Sequence, residues 1–261
     1  MAELNGVPAT TEELAALALT NYGHFTSMRV DDGRVRGLSL HMERLARDCR
    51  VVFGTDLNTD LVLEYARKAA AQQQVTSFTI RITIFDPHLG LGNIGAAAEP
   101  HVLVTVRPAG HLPPASPLTA KSFTYSRDDA AVKHVGLFGQ LKCRRDAIAA
   151  GFDDALFLEL DGQVSEGATW NVGFVTHDGE VVWPAAPVLP GVTMHLLQRL
   201  FPANVREVRG VELGELAGAF ATNTSIGVRP IRRIDDVTFD IAHAVIARMQ
   251  AAYAELAGEL L

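Results

Sequence analysis

The chain has 261 residues, of which 48% are hydrophobic and 20% charged, as in an ordinary globular protein with a sizeable core. A formal net charge of −7 excludes a general electrostatic attraction to nucleic acid or to acidic membranes. No stretch approaches the roughly 20 apolar residues of a membrane span, and the first residues lack the pattern of a secretory signal. We therefore expect a cytoplasmic protein with neither nucleic acid nor a membrane as a partner.

The first part of the chain mixes strand and helix patterns. The predicted elements are strands at residues 17–30 and 34–41, helices at 41–54 and 58–73, and strands at 77–86 and 101–108. Gly54 is the expected end of the first helix, and Asn58 or Thr59 is the expected cap of the second.

Residues 109–117, AGHLPPASP, combine three prolines and a glycine with no apolar period, which favours an interdomain linker. We expect a small N-terminal α/β domain at residues 1–112 and a larger domain at residues 113–261. The elements predicted for the larger domain are strands near 121–126, 154–160, 162–166, 171–175, 180–184, 204–208, 220–223 and 227–234, a helix with Leu137, Leu141 and Ile148 on one face, a helix after Gly191 and a helix from about Phe239.

Metal and thiol chemistry have little support. The histidines are scattered along the chain, and no pair of His or Cys residues has the spacing of a ligand motif. Cys49 and Cys143 lie in separate helical patterns, where packing is the simplest role. We expect no metal.

Three polar features predict a phosphate site. The Pro-Gly turn at 190–191 opens directly into a helix, so the amides of Val192 and Thr193 are predicted to point at an anion. Thr224 lies in a polar cluster between apolar strands, and Arg44 lies beside the apolar stripe of its helix. Each feature alone also fits an ordinary role, namely a helix cap, a turn or a solvated arginine.

Two charged residues have apolar neighbours. Lys133 lies between Ala-Ala-Val and His-Val-Gly-Leu-Phe; it is either a surface lysine at a helix entrance or a buried amine in its neutral, nucleophilic form. Glu166 lies in VSEGATWNVGF, where a buried carboxylate without a partner is costly. Glu166 therefore either faces water on a turn or meets a cation inside the protein.

Six motifs occur in a characteristic order: H-x-x-R-L at 41–45, I-R at 80–81, Lys133, D-G-x-V-x-E at 161–166 leading to Asn171, L-P-G-V-T at 189–193, and N-T-S at 223–225 followed by a proline. From about Tyr22 to Arg233 the chain resembles the class IV (fold-type IV) pyridoxal-phosphate enzymes, which include branched-chain and D-amino-acid aminotransferases and aminodeoxychorismate lyase. The resemblance implies an α/β (α+β) fold like that of D-amino-acid aminotransferase. The resemblance also implies a small N-terminal domain, a larger domain with a barrel-like sheet, and a cofactor site between the two domains.

The resemblance also assigns roles to residues. Lys133 would bind the aldehyde of pyridoxal 5'-phosphate as a Schiff base and later move a proton. Glu166 would form a hydrogen bond with the protonated pyridine nitrogen of the cofactor. The positive partner of Glu166 would therefore be present only when the cofactor is bound. The residues implied for the phosphate are Arg44, Val192, Thr193 and Thr224. The residues implied near the substrate are Phe25, Arg81, Phe138 and Trp170.

The activity that the resemblance implies is transfer of an amino group between an amino acid and a 2-oxo acid by a homodimer. Branched-chain relatives have tyrosine at the position of Phe138, a small residue at that of Trp170 and often arginine at that of Met194. The segment around Thr26 and Ser27, together with the Lys-His pair at 133–134, resembles the lyase branch instead. A pyruvate-eliminating lyase is therefore an alternative, and a non-catalytic homologue that binds cofactor or ligand is a third.

Overall fold

The computed structural model describes residues 2–109, 112 and 116–261. These residues fall into two units. Unit 1 comprises Met1–Gly110, Val132–Gly136 and Ala257–Leu261, and unit 2 comprises His111–Ala131 and Leu137–Leu256. Much of the predicted linker at 109–117 lies outside the described residues, so the predicted domain boundary at 112 stays a prediction.

The elements of the first part of the chain are β1 (Ala2–Leu4), β2 (Val7–Pro8), α1 (Thr11–Thr20), β3 (His24–Asp31), β4 (Arg34–Val35), α2 (Leu38–Phe53), α3 (Thr59–Ala71), β5 (Ser77–Phe85) and β6 (His101–Pro108). The remaining elements are β7 (Leu118–Thr124), α4 (Phe138–Ala149), β8 (Asp154–Leu158), β9 (Val164–Gly167), β10 (Asn171–Val175), β11 (Val181–Pro184), α5 (Val192–Leu200), β12 (Ala203–Arg206), a 3₁₀ helix (Gly210–Glu215), β13 (Gly218–Asn223), β14 (Gly227–Ile234), β15 (Val237–Thr238), α6 (Ala244–Glu255) and β16 (Glu259–Leu260). None of the helices in the described ranges has the length and apolar character needed to cross a membrane.

Unit 1 contains a seven-stranded sheet in the order β16-β4-β3-β5-β6-β1-β2, in which every neighbouring pair is antiparallel. Because side chains alternate along a strand, Met28 and Ile80 point to the face that packs against α2 and α3. Phe25, Ser27 and Arg81 point to the opposite face, where Ser27 and Arg81 are cross-strand partners. The sheet therefore separates an apolar helix-covered face from a face that carries predicted substrate residues.

The predicted strand at 17–30 is wrong in its first part, because Thr11–Thr20 form α1. Thr10 and Glu13 form a capping box: the Glu13 amide donates to the Thr10 hydroxyl at 3.2 Å, and the Glu13 carboxylate accepts from the Thr10 amide at 2.8 Å. The predicted strand at 34–41 is also too long. It ends at Val35, since Gly37 has a left-handed φ of 71° and α2 follows.

The other predicted helices and strands are confirmed, with shifts at their ends. Gly54 ends α2 in the left-handed conformation, and the Asn58 side chain caps α3 by accepting from two backbone amides. The last helix begins at Ala244 rather than near Phe239, because His243 caps it there. The sequence patterns missed β1, β2, β15, β16 and the 3₁₀ helix, which are all short.

Unit 2 contains a closed barrel. Strands β10, β13, β14, β7, β8 and β9 pair in that order, and β9 pairs again with β10 through Glu166 and Asn171, which closes the ring. Val172 and Ala221 lie in one apolar cluster, whereas Phe220 and Val228 face the opposite way and pack with α5 and α6. The predicted mixed fold with a barrel-like sheet is confirmed.

Candidate active site

Lys133 lies in a segment that is held against the start of β3. The Phe25 amide donates to the Lys133 carbonyl at 2.8 Å, and the Lys133 amide donates to the Asp48 carboxylate at 3.0 Å. The Lys133 side chain is half-buried, and its Nζ lies 4.8 Å from the centre of the Phe25 ring. The backbone of Lys133 is therefore fixed, and its amine lies against an aromatic ring.

Arg81 lies over the same ring. Its guanidinium carbon is 3.6 Å from the centre of the Phe25 ring, and its Nε donates to the Thr83 hydroxyl at 3.3 Å. Burial, and to a smaller degree the charge of Arg107, lower the pKa of Arg81. No carboxylate in the described part of the chain forms an ion pair with Arg81. This guanidinium can therefore bind a carboxylate supplied by a ligand.

Arg44 is buried in α2, where its Nη2 donates to the Thr26 hydroxyl at 2.7 Å. Thr26 Oγ1 is also 2.7 Å from His41 Nδ1. Burial lowers the pKa of Arg44 to about 10, partly offset by Asp48, and it lowers the pKa of His41 well below its usual value. Because arginine only donates, Thr26 accepts from Arg44 and donates to a neutral His41. Arg44 Nε has no hydrogen-bond partner among the described residues.

Three polar residues form a row across neighbouring strands of the barrel in unit 2. Asn171 pairs directly with Glu166 on one side and with Thr222 on the other, so the three side chains share a face. All three residues are buried. Burying three neighbouring polar side chains costs free energy unless each forms hydrogen bonds. The hydrogen-bond partners of these three side chains therefore indicate what the row does.

Glu166 has a cationic partner within the chain. Arg127 Nη1 donates to Glu166 Oε1 at 2.9 Å, and both side chains are only 5% exposed. The Leu189 amide donates to Glu166 Oε2 at 3.2 Å. The expectation that Glu166 lacks a cation without the cofactor is therefore wrong. Sequence reasoning missed Arg127 because 39 positions separate the pair; the only signal was the need of a buried carboxylate for a cation.

Asn171 holds the turn that leads into α5. Its Nδ2 donates to the Leu189 carbonyl at 2.8 Å, and a Cβ at Gly191 would lie 2.1 Å from its Oδ1. Gly191 is the N-cap of α5 and provides no side-chain cap, so the first amides of the helix, at Val192 and Thr193, remain available to an anion. The position of this helix start is thus set by a contact that only glycine permits.

The other two residues predicted to bind phosphate, Thr193 and Thr224, lie at the start of α5 and just beyond the end of β13. Thr193 is buried and its hydroxyl lies 3.4 Å from that of Tyr253. Thr224 follows β13 directly and is half-buried. The neighbouring Thr222 hydroxyl is buried without a hydrogen-bond partner among the described residues. The sequence indicated Thr222 only as a member of the polar cluster at residues 222–225, and not as a phosphate residue in its own right.

Trp170 and Phe138 have contrasting positions. Trp170 is buried in an apolar cluster of unit 2 and covers Gly167, where a Cβ would lie 1.9 Å from the indole ring. Gly167, the last residue of β9, therefore makes room for Trp170, which ends the short turn at residues 168–170 before β10. Phe138 is the first residue of α4 and is 82% exposed. Their contacts with substrate stay predictions.

The comparisons with known proteins agree on one family. The profile of the family described as "Amino-transferase class IV" matches residues 23–234. The chain is 24% identical, over 271 aligned positions, to the branched-chain-amino-acid aminotransferase of Pseudomonas aeruginosa, covering 95% of this chain and 88% of that protein. The fold is similar to that of the branched-chain amino acid aminotransferase from Escherichia coli, with a TM-score of 0.85, 22% identity and coverage of 98% of this chain and 93% of that one. It is also similar to a hypothetical aminotransferase from Mycobacterium tuberculosis in its PLP-bound form, with a TM-score of 0.79, 18% identity and coverage of 97% and 98%.

The six-stranded barrel and the antiparallel sheet are the architecture of the fold-type IV pyridoxal-phosphate enzymes. Since the family match covers most of the chain, the chain belongs to the class IV aminotransferases, which are transaminases that use pyridoxal 5'-phosphate.

The described residues fit this cofactor. Arg44 keeps a buried guanidinium nitrogen without a hydrogen-bond partner, and α5 begins without a side-chain cap, so both features suit a bound phosphate. Glu166 is a buried carboxylate of the kind that a protonated ring nitrogen needs. In the described ranges no three His, Cys, Asp or Glu side chains are grouped to hold a metal ion.

Proposed function

We propose that the protein moves an amino group between an amino acid and a 2-oxo acid, with Lys133 as the reactive lysine. One observation carries this proposal: the amine of Lys133 and the guanidinium of Arg81 both lie against the ring of Phe25. An amine that handles protons and a cation that binds a carboxylate are the two groups that an amino-acid substrate requires.

When bound, pyridoxal phosphate supplies an aldehyde for amino groups and a ring that accepts the electron pair of the substrate α-carbon. In the resting enzyme Lys133 Nζ would bind that aldehyde, and the incoming amino acid would displace it. The freed amine would then take the proton from the substrate α-carbon and deliver it to the former aldehyde carbon of the cofactor. The hydrogen bonds that fix the Lys133 backbone limit where its amine can reach. Arg81 binds the substrate carboxylate and so orients the α-carbon.

The phosphate is assigned to Arg44 and to Val192, Thr193 and Thr224. Arg44 supplies a permanent positive charge, since its pKa of about 10 keeps it protonated at neutral pH. The start of α5 supplies backbone amides and the positive end of a helix dipole. Glu166 is assigned to the ring nitrogen.

We assign the side chain of the amino-acid substrate to contacts with Phe25, Phe138 and Trp170. The relatives named above support an amino acid and a 2-oxo acid as the two substrates. The family contains enzymes for L- and for D-amino acids on one scaffold, so the substrate panel must include both enantiomers. We also propose that the enzyme is a cytoplasmic homodimer, which light scattering after size exclusion would test by giving twice the chain mass.

The lyase alternative needs a hydroxyl at the cofactor from Thr26 or Ser27. The Thr26 hydroxyl is already bonded to Arg44 and His41 on the helix-covered side of β3. Ser27 projects to the same face of the sheet as Phe25 and Arg81, so its hydroxyl remains available to the lyase alternative. The relatives named above are aminotransferases, and they give transamination the stronger support.

The experiment is an absorbance titration of the protein loaded with pyridoxal phosphate, using a panel of L- and D-amino acids. We expect the visible band of the cofactor to bleach to that of the amine form with at least one donor, without any acceptor. Lys133→Ala should lose the bleaching, and Lys142→Ala, which removes an exposed lysine of α4, should keep it. Release of pyruvate from aminodeoxychorismate without bleaching by any donor would contradict the proposal and favour the lyase.

A further inference from the structure

The ion pair between Arg127 and Glu166 is buried to an unusual degree for this chain. Its N–O distance is 2.9 Å and both side chains are 5% exposed, whereas the arginine of the Arg206–Glu212 pair, also in unit 2, is 38% exposed. Burying two charges costs desolvation energy that their attraction often fails to return. The burial of this pair is therefore weak evidence that it stabilises the fold, and it suggests a functional role instead.

The geometry of Glu166 indicates what that role is. Its two oxygens are bound by different groups, Oε1 by Arg127 and Oε2 by the Leu189 amide. The Leu189 carbonyl is in turn held by Asn171, the cross-strand neighbour of Glu166. The carboxylate is thus fixed in position and in plane by groups from outside its own strand.

Arg127 is itself anchored close by. The Nη1 that contacts Glu166 also donates to the Ala130 carbonyl at 2.9 Å, so the side chain folds back on its own loop. A guanidinium whose Nη1 is already held by its own loop loses little further freedom when the same nitrogen holds a carboxylate.

We propose that Arg127 is a positioning residue that acts through Glu166: it holds this carboxylate, charged and oriented, for the ring nitrogen of pyridoxal phosphate. The inference rests on the proposed function, because it assumes that Glu166 serves the cofactor. A buried carboxylate without a cation takes up a proton, and a neutral acid cannot stabilise a protonated ring nitrogen. Each carboxylate oxygen accepts more than one hydrogen bond, so Arg127 and a ligand are compatible partners.

The test is a double-mutant cycle on cofactor binding, read out without turnover. The four proteins are the wild type, Arg127→Gln, Glu166→Gln and the double variant, each checked for folding by circular dichroism. The dissociation constant for pyridoxal phosphate is measured by equilibrium dialysis, and the visible band of the bound cofactor is recorded across pH.

If Arg127 acts through Glu166, R127Q weakens binding about tenfold in the wild-type background but less than about twofold in the E166Q background. R127Q and E166Q also shift the visible band in the same direction. Arg127→Lys restores binding to within about threefold of wild type, because it returns the charge. Arg206→Gln, the matched control, leaves both readings unchanged. If R127Q does not fold, the cycle is run with Arg127→Lys instead, comparing R127K with wild type and the R127K/E166Q double variant with E166Q.

Three results would overturn the inference. Effects of R127Q and E166Q that multiply would mean that Arg127 acts independently of Glu166. Tighter binding in R127Q would mean that Arg127 competes with the cofactor for the carboxylate. If the wild type binds no pyridoxal phosphate, the proposed function fails together with this inference. If the wild type binds it normally and the effects of R127Q and E166Q on the dissociation constant multiply, only this inference fails.

Discussion

The two units of the molecule differ in the partners of the charged residues that the sequence predicts for the site. In unit 1, Arg44 is buried beside the neutral side chains of Thr26 and His41, and Arg81 lies on Phe25 without a carboxylate partner in the described residues. In unit 2, the buried Glu166 has Arg127 as a partner within the chain. The two predicted arginines of unit 1 therefore have no carboxylate partner among the described residues, whereas the predicted carboxylate of unit 2 already has a cation.

The largest expected effect comes from breaking the pair in unit 2. Arg127→Met should destabilise the cofactor-free protein by about 3–5 kcal/mol, because it leaves a buried carboxylate without its cation. Urea denaturation measures this change. Arg206→Met, which breaks a more exposed pair, should cost no more than about 1 kcal/mol. Equal losses from both variants would show that burial does not distinguish the two pairs.

The next effect concerns pH and unit 1. His24 is fully buried, neither ring nitrogen has a hydrogen-bond partner in the described ranges, and burial lowers its pKa to about 4, against a smaller opposing effect of Asp48. Between this pKa of about 4 and the ordinary histidine pKa of 6.5, His24 therefore binds a proton in the unfolded chain but not in the folded chain. Stability from this group is complete above about pH 6.5 and is lost as pH falls to about 4, a change of about 3 kcal/mol. His41 acts in the same direction.

His24→Phe should remove about that much of the acid dependence, as measured by urea denaturation at pH 7 and at pH 4.5. The exposed His177 gives the control, since His177→Asn should leave the pH dependence as it is. An unchanged acid profile in His24→Phe would show that His24 is not charged on unfolding in this range.

A smaller effect is expected at the turn before α5. Gly191→Ala places a methyl group 2.1 Å from Asn171 Oδ1, so the turn or the side chain must move, at a cost of about 1–3 kcal/mol. Affinity for pyridoxal phosphate should fall with it, because α5 begins at this turn. Gly214→Ala meets nothing within 4 Å and should be nearly neutral. Normal cofactor affinity in Gly191→Ala would separate the helix start from phosphate binding.

The smallest change in stability is expected for Arg44→Met. Arg44 has no carboxylate at hydrogen-bond distance among the described residues, so removing this buried cation should alter the free energy of unfolding of the cofactor-free protein by less than about 1 kcal/mol. Binding of pyridoxal phosphate should nevertheless weaken about tenfold to a hundredfold, since a charge-assisted hydrogen bond is lost. A large loss of stability without loss of binding would reverse the contrast between the two units.

The sequence predicted the helices and strands better than it predicted contacts between distant residues. Helices α2 and α3 and strands β5 and β6 follow from periodicity and from local stops such as Gly54. Helix α1 was missed although its signal, Thr10 and Glu13 three positions apart, is local and was available. Helix α4 shows the limit of such patterns: its predicted apolar residues Leu141 and Ile148 are exposed.

Contacts between distant residues could not be predicted in this way. The closure of the barrel depends on one pairing, Glu166 with Asn171, and no local pattern specifies strand pairing. The partner of Glu166 was out of reach for the same reason, since many arginines could have filled that role. Lys133 and Glu166 were selected as candidate site residues because their motifs occur in a recognisable order. Their apolar sequence neighbours alone left other roles open.

The central claim, that Lys133 is the lysine that binds the cofactor, has a direct test. The protein is incubated with pyridoxal phosphate and treated with borohydride, which reduces the bond between a lysine amine and the cofactor aldehyde to a stable amine. Peptide mass spectrometry then locates the label. We predict one phosphopyridoxyl group per chain on Lys133 and none on the remaining lysines. A label on another lysine, or no label at all, would contradict the account.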